Sequence, residues 1–72
     1  MPTYSIRIIV TQARADRLDL APAGLAEARG LARMVSLTDT RCPVEVWRHE
    51  GAEHAVEARY ENGRSVSLQE AV

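Results

Sequence analysis

Tyr4, Ile6, Ile8 and Val10 alternate with Ser5, Arg7, Ile9 and Thr11. A period of two sends the two sets to opposite faces of a half-buried strand. The polar run from Gln12 to Asp16 predicts a turn, after which Arg17-Leu18-Asp19-Leu20 resumes the alternation with Leu18 and Leu20 facing inward. That segment reads either as a short second strand paired back onto the first or as a loop leading to a helix.

Pro22 suits the first turn of a helix, where backbone N–H groups lack an intrahelical partner. Leu25, Ala28, Leu31, Ala32 and Val35 then fall at helical spacing, on an arc of roughly 120°, the width of a core-facing stripe. Arg29, Arg33 and Ser36 lie off it. Thr38, Asp39 and Thr40 compete for backbone hydrogen bonds and end the helix near Leu37. Pro43 disfavours helix at Cys42.

Val44, Val46 and Arg48 alternate with Glu45, Trp47 and His49 in a further strand, and 49–53 form the next turn. Val56, Ala58 and Tyr60 share one face of the following strand, with Glu57 and Arg59 on the other. Asn62-Gly63 is a strong turn signal. A two-residue loop there pairs Arg59 with Val66 and Glu57 with Leu68, placing apolar residues on the charged face. A three-residue loop, Glu61-Asn62-Gly63 with Gly63 left-handed, pairs Tyr60 with Arg64, Ala58 with Val66 and Val56 with Leu68. Because a one-residue slip inverts the faces, the three-residue loop is expected. Residues 69–72 are expected to fray.

The element order is ββαβββ, or βαβββ if Arg17–Leu20 is a loop. Either gives an α+β fold: a mainly antiparallel four- or five-stranded sheet with one helix packed on one face. Residues 1–72 are expected to form a single domain.

Composition narrows the function. The apolar fraction is 46%, but much of it is Ala and none is Phe. A chain this short buries only about 60% of the surface that its unfolded form exposes. Such a domain gains from a partner or a second copy of itself. Net charge is −1, against the basic excess of a general nucleic-acid binder. Every basic residue is Arg, a choice suited to carboxylate or phosphate and equally a mark of coding bias. Met1-Pro2-Thr3-Tyr4 shows no basic segment ahead of a long apolar run, and Ile8-Ile9-Val10 is far too short to span a bilayer. A cytoplasmic location without a membrane partner is expected.

Candidate chemistry is sparse. His49-Glu50-Gly51-Ala52-Glu53-His54 is the run closest to a metal motif, yet a zinc protease needs two His four apart on one helix. Two His flanking a hairpin can meet across strands, but no metal and no cofactor is expected. Cys42 is the one Cys of the sequence, and no sequence constellation supplies a base and an oxyanion site for it. No catalytic residue is assigned, and no enzymatic activity is expected.

What remains is surface. One helix covers one face of the sheet, so the other carries Ser5, Arg7, Ile9, Thr11, Glu45, Trp47, His49, Glu57, Arg59, Ser65 and Ser67. Trp47, Ile9, Arg7, Arg59, His49 and Glu45 are the candidate partner-binding residues, since Trp and Arg are favoured interface anchors. The competing reading has Trp47 lying flat over Arg stems as local cover. Ala26, Gly30, Met34, Leu37 and Arg33 form a second candidate surface on the outer side of the helix, suited to a homodimer. Arg29, Arg33 and Arg41 read as a solvated edge.

Glu27-Ala28-Arg29-Gly30-Leu31-Ala32 in the helix, Val44-Glu45-Val46 in a strand and Tyr60-Glu61-Asn62-Gly63-Arg64 at the last hairpin carry a likeness covering most of the chain. In this element order the chain resembles small phage-encoded anti-CRISPR proteins acting on type I systems, some of which are a five-stranded antiparallel sheet with one helix. The resemblance implies a compact, non-enzymatic inhibitor that obstructs a host ribonucleoprotein by covering its subunits or its DNA path. It transfers no functional residue. The expected function is a protein-binding inhibitor or adaptor. The alternatives are a nucleic-acid-binding accessory factor using the open sheet face, and a structural homo-oligomeric domain.

Overall fold

The computed structural model describes residues 2–11, 13–18, 20, 22–38 and 42–66. Its elements run β1 (Thr3–Thr11), β2 (Arg14–Arg17), α1 (Leu25–Thr38), β3 (Val44–Glu50), β4 (Glu53–Glu61) and β5 (Arg64–Ser65). The strands form one five-stranded sheet in the order β2-β1-β3-β4-β5. Every neighbouring pair is antiparallel. The expected ββαβββ order and α+β class are what the chain adopts.

The helix lies across one face of this sheet. Ala28, Ala32 and Val35 meet Ile6, Val44, Val46, Ala58 and Tyr60 in a buried core, flanked by Tyr4, Ile8, Leu18, Leu25 and Leu31. All five positions of the expected helical stripe therefore face the sheet. Ala28 and Ala32 are fully buried and let the helix backbone approach closely. Tyr60 keeps its polar tip satisfied by accepting a hydrogen bond from Arg29 Nε at 3.1 Å.

Several boundaries differ from expectation, each for a physical reason. The helix starts at Leu25, because Gly24 supplies the carbonyl for its first bond, from Ala28 N at 2.9 Å; Pro22 lies upstream. The second strand is Arg14–Arg17 and is exposed throughout, with Ala13 in the preceding turn. An edge strand needs no apolar side, and charges on it discourage pairing with other chains. Leu18 continues the ladder, its N–H donating to Ile6 O at 2.9 Å, and packs on the core. Leu20 is exposed, and so is Val10, at the irregularity between Ile9 and Thr11.

Ser36 was expected off the buried stripe but is 1% exposed. Its hydroxyl donates to Arg33 O and accepts from Gly63 N, both at 2.8 Å, tying the helix to the last hairpin.

That hairpin is tighter than expected. Tyr60 pairs with Ser65 and Glu61 with Arg64, leaving a two-residue loop with Asn62 at φ 54° and Gly63 at φ 78°. Both central residues are left-handed, as a type I′ turn demands, and its twist matches that of the strands. The parity argument for a longer loop fails on both of its pairs: Val66 does share the open-face row with Arg59, and a bulge in β4 takes Glu57 off that face. Val46 faces Ala58 but Trp47 faces Val56, so Glu57 is the extra residue. Glu57 turns to the helix side and pairs with Arg48, Nε to Oε1 3.0 Å. Val56 moves to the open face. The expected placements of Val56 and Glu57 are thus exchanged. Residues 39–41 and 67–72, including the expected Leu68 pairing, lie outside the described residues.

Candidate functional site

The face of the sheet away from α1 is organised in cross-strand rows. One row runs Arg17, Arg7, Glu45, Arg59 and continues to Val66, whose N–H donates to Arg59 O at 2.8 Å. The next row holds Ser5, Trp47 and Val56, and the one beyond it Thr3, His49 and His54. Ile9 stands on the other side of the Arg row, opposite Ala15, with its N–H donating to Pro43 O.

Trp47 is half-buried. Its indole Nε1 donates to Glu45 Oε1 at 3.1 Å, and the Arg7 guanidinium carbon lies 4.9 Å from the ring centroid. Both features follow from spacing: Glu45 shares the strand face two residues earlier, and Arg7 lies one row over on the neighbouring strand. The stack is within cation–π range. The Arg7 guanidinium thus covers part of the Trp47 ring, and the indole N–H is already used.

Glu45 is the electrostatic hub. Its second oxygen, Oε2, lies 3.6 Å from Arg59 Nη1, and its side chain is only 14% exposed. Arg59 Nε lies 3.4 Å from Glu61 Oε2 but is misaligned for a hydrogen bond, and this buried atom has no such partner. Arg7 Nε is likewise buried without a hydrogen-bond partner. With both Glu45 oxygens engaged, Arg7 and Arg17 stand side by side as like charges. Like charges directly opposite each other destabilise a sheet.

A second polar chain begins at Ser5, which is 1% exposed although it lies on the open face. Its Oγ is 2.6 Å from His49 Nε2, and His49 Nδ1 is 2.6 Å from His54 Nδ1. The two rings meet edge to face. Burial holds the His49 pKa below its ordinary value, and His54, Arg7 and Arg17 push it in the same direction.

Of the six residues expected here, the fold gathers Arg7, Glu45, Trp47 and Arg59 into one connected cluster. His49 joins the adjacent row, and Ile9 sits apart. Sequence reading missed Arg17 and the burial of Ser5, both settled by the partner strand. It also missed Val56 and Val66, whose signals were the bulge and the two-residue Asn-Gly turn.

All five residues of the second candidate surface are exposed, with Leu37 at 58% and Met34 at 60%, but they differ in their contacts. Nothing approaches Gly30. Arg33 and Leu37 are engaged within the chain: Arg33 Nε donates to Gly63 O at 3.0 Å, and the Leu37 side chain lies over Gly63. Among the described residues, no group of three or more His, Cys, Asp or Glu converges on a metal position. No helix among them is long and apolar enough to cross a membrane. Compared with family models, curated proteins and solved structures, the chain matches none of them.

Proposed function

We propose that this chain is a non-enzymatic protein-binding module, an inhibitor or adaptor, that docks through the open face of its sheet. The observation that carries this reading is Arg7 stacked on the half-buried Trp47 on the sheet face opposite α1, which no helix among the described residues covers. Trp and Arg dominate the energetics of protein interfaces. Here each holds the other in place, which lowers the entropy lost on docking. Val56 and Val66 add half-buried apolar surface at the cluster's edge, and Arg7 and Arg17 select a partner that presents a carboxylate.

The resemblance in element order narrows the partner to a subunit of a type I CRISPR effector in the host cytoplasm, obstructed sterically. The test adds the purified chain to such a complex and measures binding of target DNA. Loss of DNA binding that Trp47→Ala and Arg7→Gln both reverse supports the reading. Undiminished DNA binding removes its CRISPR form. Equal binding of the isolated effector by wild type and Trp47→Ala removes the docking face.

A second reading rests on the Arg17, Arg7, Arg59 row beside Trp47. Arg on phosphate with an indole on a base is how sheets hold single-stranded nucleic acid. Salt separates the two. Affinity for a single-stranded oligonucleotide that falls steeply and log-linearly with salt marks this second mode.

A further inference from the structure

We propose that His49 and His54 form a site for a late first-row transition-metal ion, Cu2+, Ni2+ or Zn2+, near the end of the β3–β4 hairpin. They are the chain's two histidines, and they sit directly opposite each other across the ladder. Their Nδ1 atoms are 2.6 Å apart, with ring centroids at 4.8 Å and an interplanar angle of 66°. Two lone pairs at that separation repel and two N–H groups collide, so a single proton lies between them.

A metal ion can take that place. With bonds of about 2.0–2.1 Å, a tetrahedral ion sets its two nitrogens roughly 3.3–3.4 Å apart. The rings must separate by less than an ångström, which exposed His54 provides by side-chain rotation. His49 is the fixed partner. Its Nε2 is 2.6 Å from Ser5 Oγ, and Ser5 is buried at 1% exposure. An Nε2–H donated to that hydroxyl leaves the lone pair on Nδ1, aimed at His54. Metal-ligating histidines are commonly oriented this way, by a group behind the ring.

The surroundings choose the ion. Burial first, then His54, and then Arg7 and Arg17 from β1 and β2, favour the neutral form of the His49 ring. The two arginines also repel cations, and no third carboxylate, thiol or imidazole converges there among the described residues. Ca2+ and Mg2+ need oxygen ligands and gain nothing here. Imidazole suits copper, nickel and zinc, with copper strongest. Two protein ligands leave the remaining positions to water.

The test titrates chelator-treated protein with zinc chloride while following the ring nitrogens of both histidines by NMR. Both Nδ1 signals should move together and saturate at one ion per chain. Binding should weaken as pH falls below the ordinary His value, where protons compete. His54→Gln, a change at an exposed position, should abolish it, and Ser5→Ala should weaken it roughly tenfold. Magnesium chloride should move neither ring. The idea is overturned by no response at millimolar zinc, by movement of His54 alone, or by wild-type affinity in His54→Gln. Any of these leaves a pair that shares a proton and nothing more.

Discussion

The Arg7 guanidinium carbon lies 4.9 Å from the centroid of the Trp47 ring, while the indole N–H is donated sideways to Glu45. The indole is thereby ordered from two directions before any partner arrives. Stacking of this kind is worth about 0.5–1 kcal/mol at exposed sites. A double-mutant cycle with Arg7→Gln and Trp47→Leu, read by urea unfolding, should return a coupling of that size. Strict additivity would mean that the stack is incidental.

The bulge at Glu57 makes a sharp distinction between neighbours. Val56 stands on the open face opposite Trp47, and Ala58 on the core face opposite Val46, where it is 5% exposed. Val56→Thr should cost under about 1 kcal/mol. Ala58→Thr, which overpacks the core and buries a hydroxyl, should cost about 1–3 kcal/mol. Equal costs in denaturant melts would contradict the bulged register.

Gly63 combines a left-handed backbone, φ 78°, with a Leu37 side chain where a Cβ would have to go. Gly63→Ala should destabilise by about 1–2 kcal/mol from the backbone conformation, with a further steric contribution. Adding Leu37→Ala should recover only the steric part. A double variant as stable as Leu37→Ala alone would show that the backbone conformation contributes nothing.

Acidification acts through His49. Its folded-state pKa is lowered, chiefly by burial and then by His54, Arg7 and Arg17. The unfolded chain therefore binds the proton more readily, and stability must rise with pH through this window. The contribution is complete above the ordinary His value of 6.5 and is lost as pH falls from there toward the lowered folded value. Urea midpoints measured from about pH 7.5 down to about pH 5 should decline, and His49→Asn should flatten the part of the decline near neutrality. An unchanged slope in that variant assigns the effect to other groups.

Much of this was legible along the chain. The alternation of Tyr4, Ile6 and Ile8 marked β1, and Leu25, Ala28, Leu31, Ala32 and Val35 marked the helical stripe, since both periods are properties of neighbouring residues on one segment. Arg7, Glu45, Trp47 and Arg59 could be assigned to the open face by the same parity. The β2 segment was not legible: Arg-Ala-Asp-Arg pairs because β1 offers it an edge, without any apolar pattern of its own. Parity also misled at Val56, because one inserted residue reverses every assignment on its N-terminal side.

Element order, helix stripe and core face were determined by the residues themselves, because hydrophobic periodicity acts locally and burial follows from it. Which side chains touch was decided only by the folded sheet. The Glu57 bulge, the type I′ turn, the burial of Ser5 and Ser36, the Arg7–Trp47 stack and the meeting of His49 with His54 all depend on register between segments. Register is a property of two strands at once, settled by the competition among every pair the sheet must satisfy.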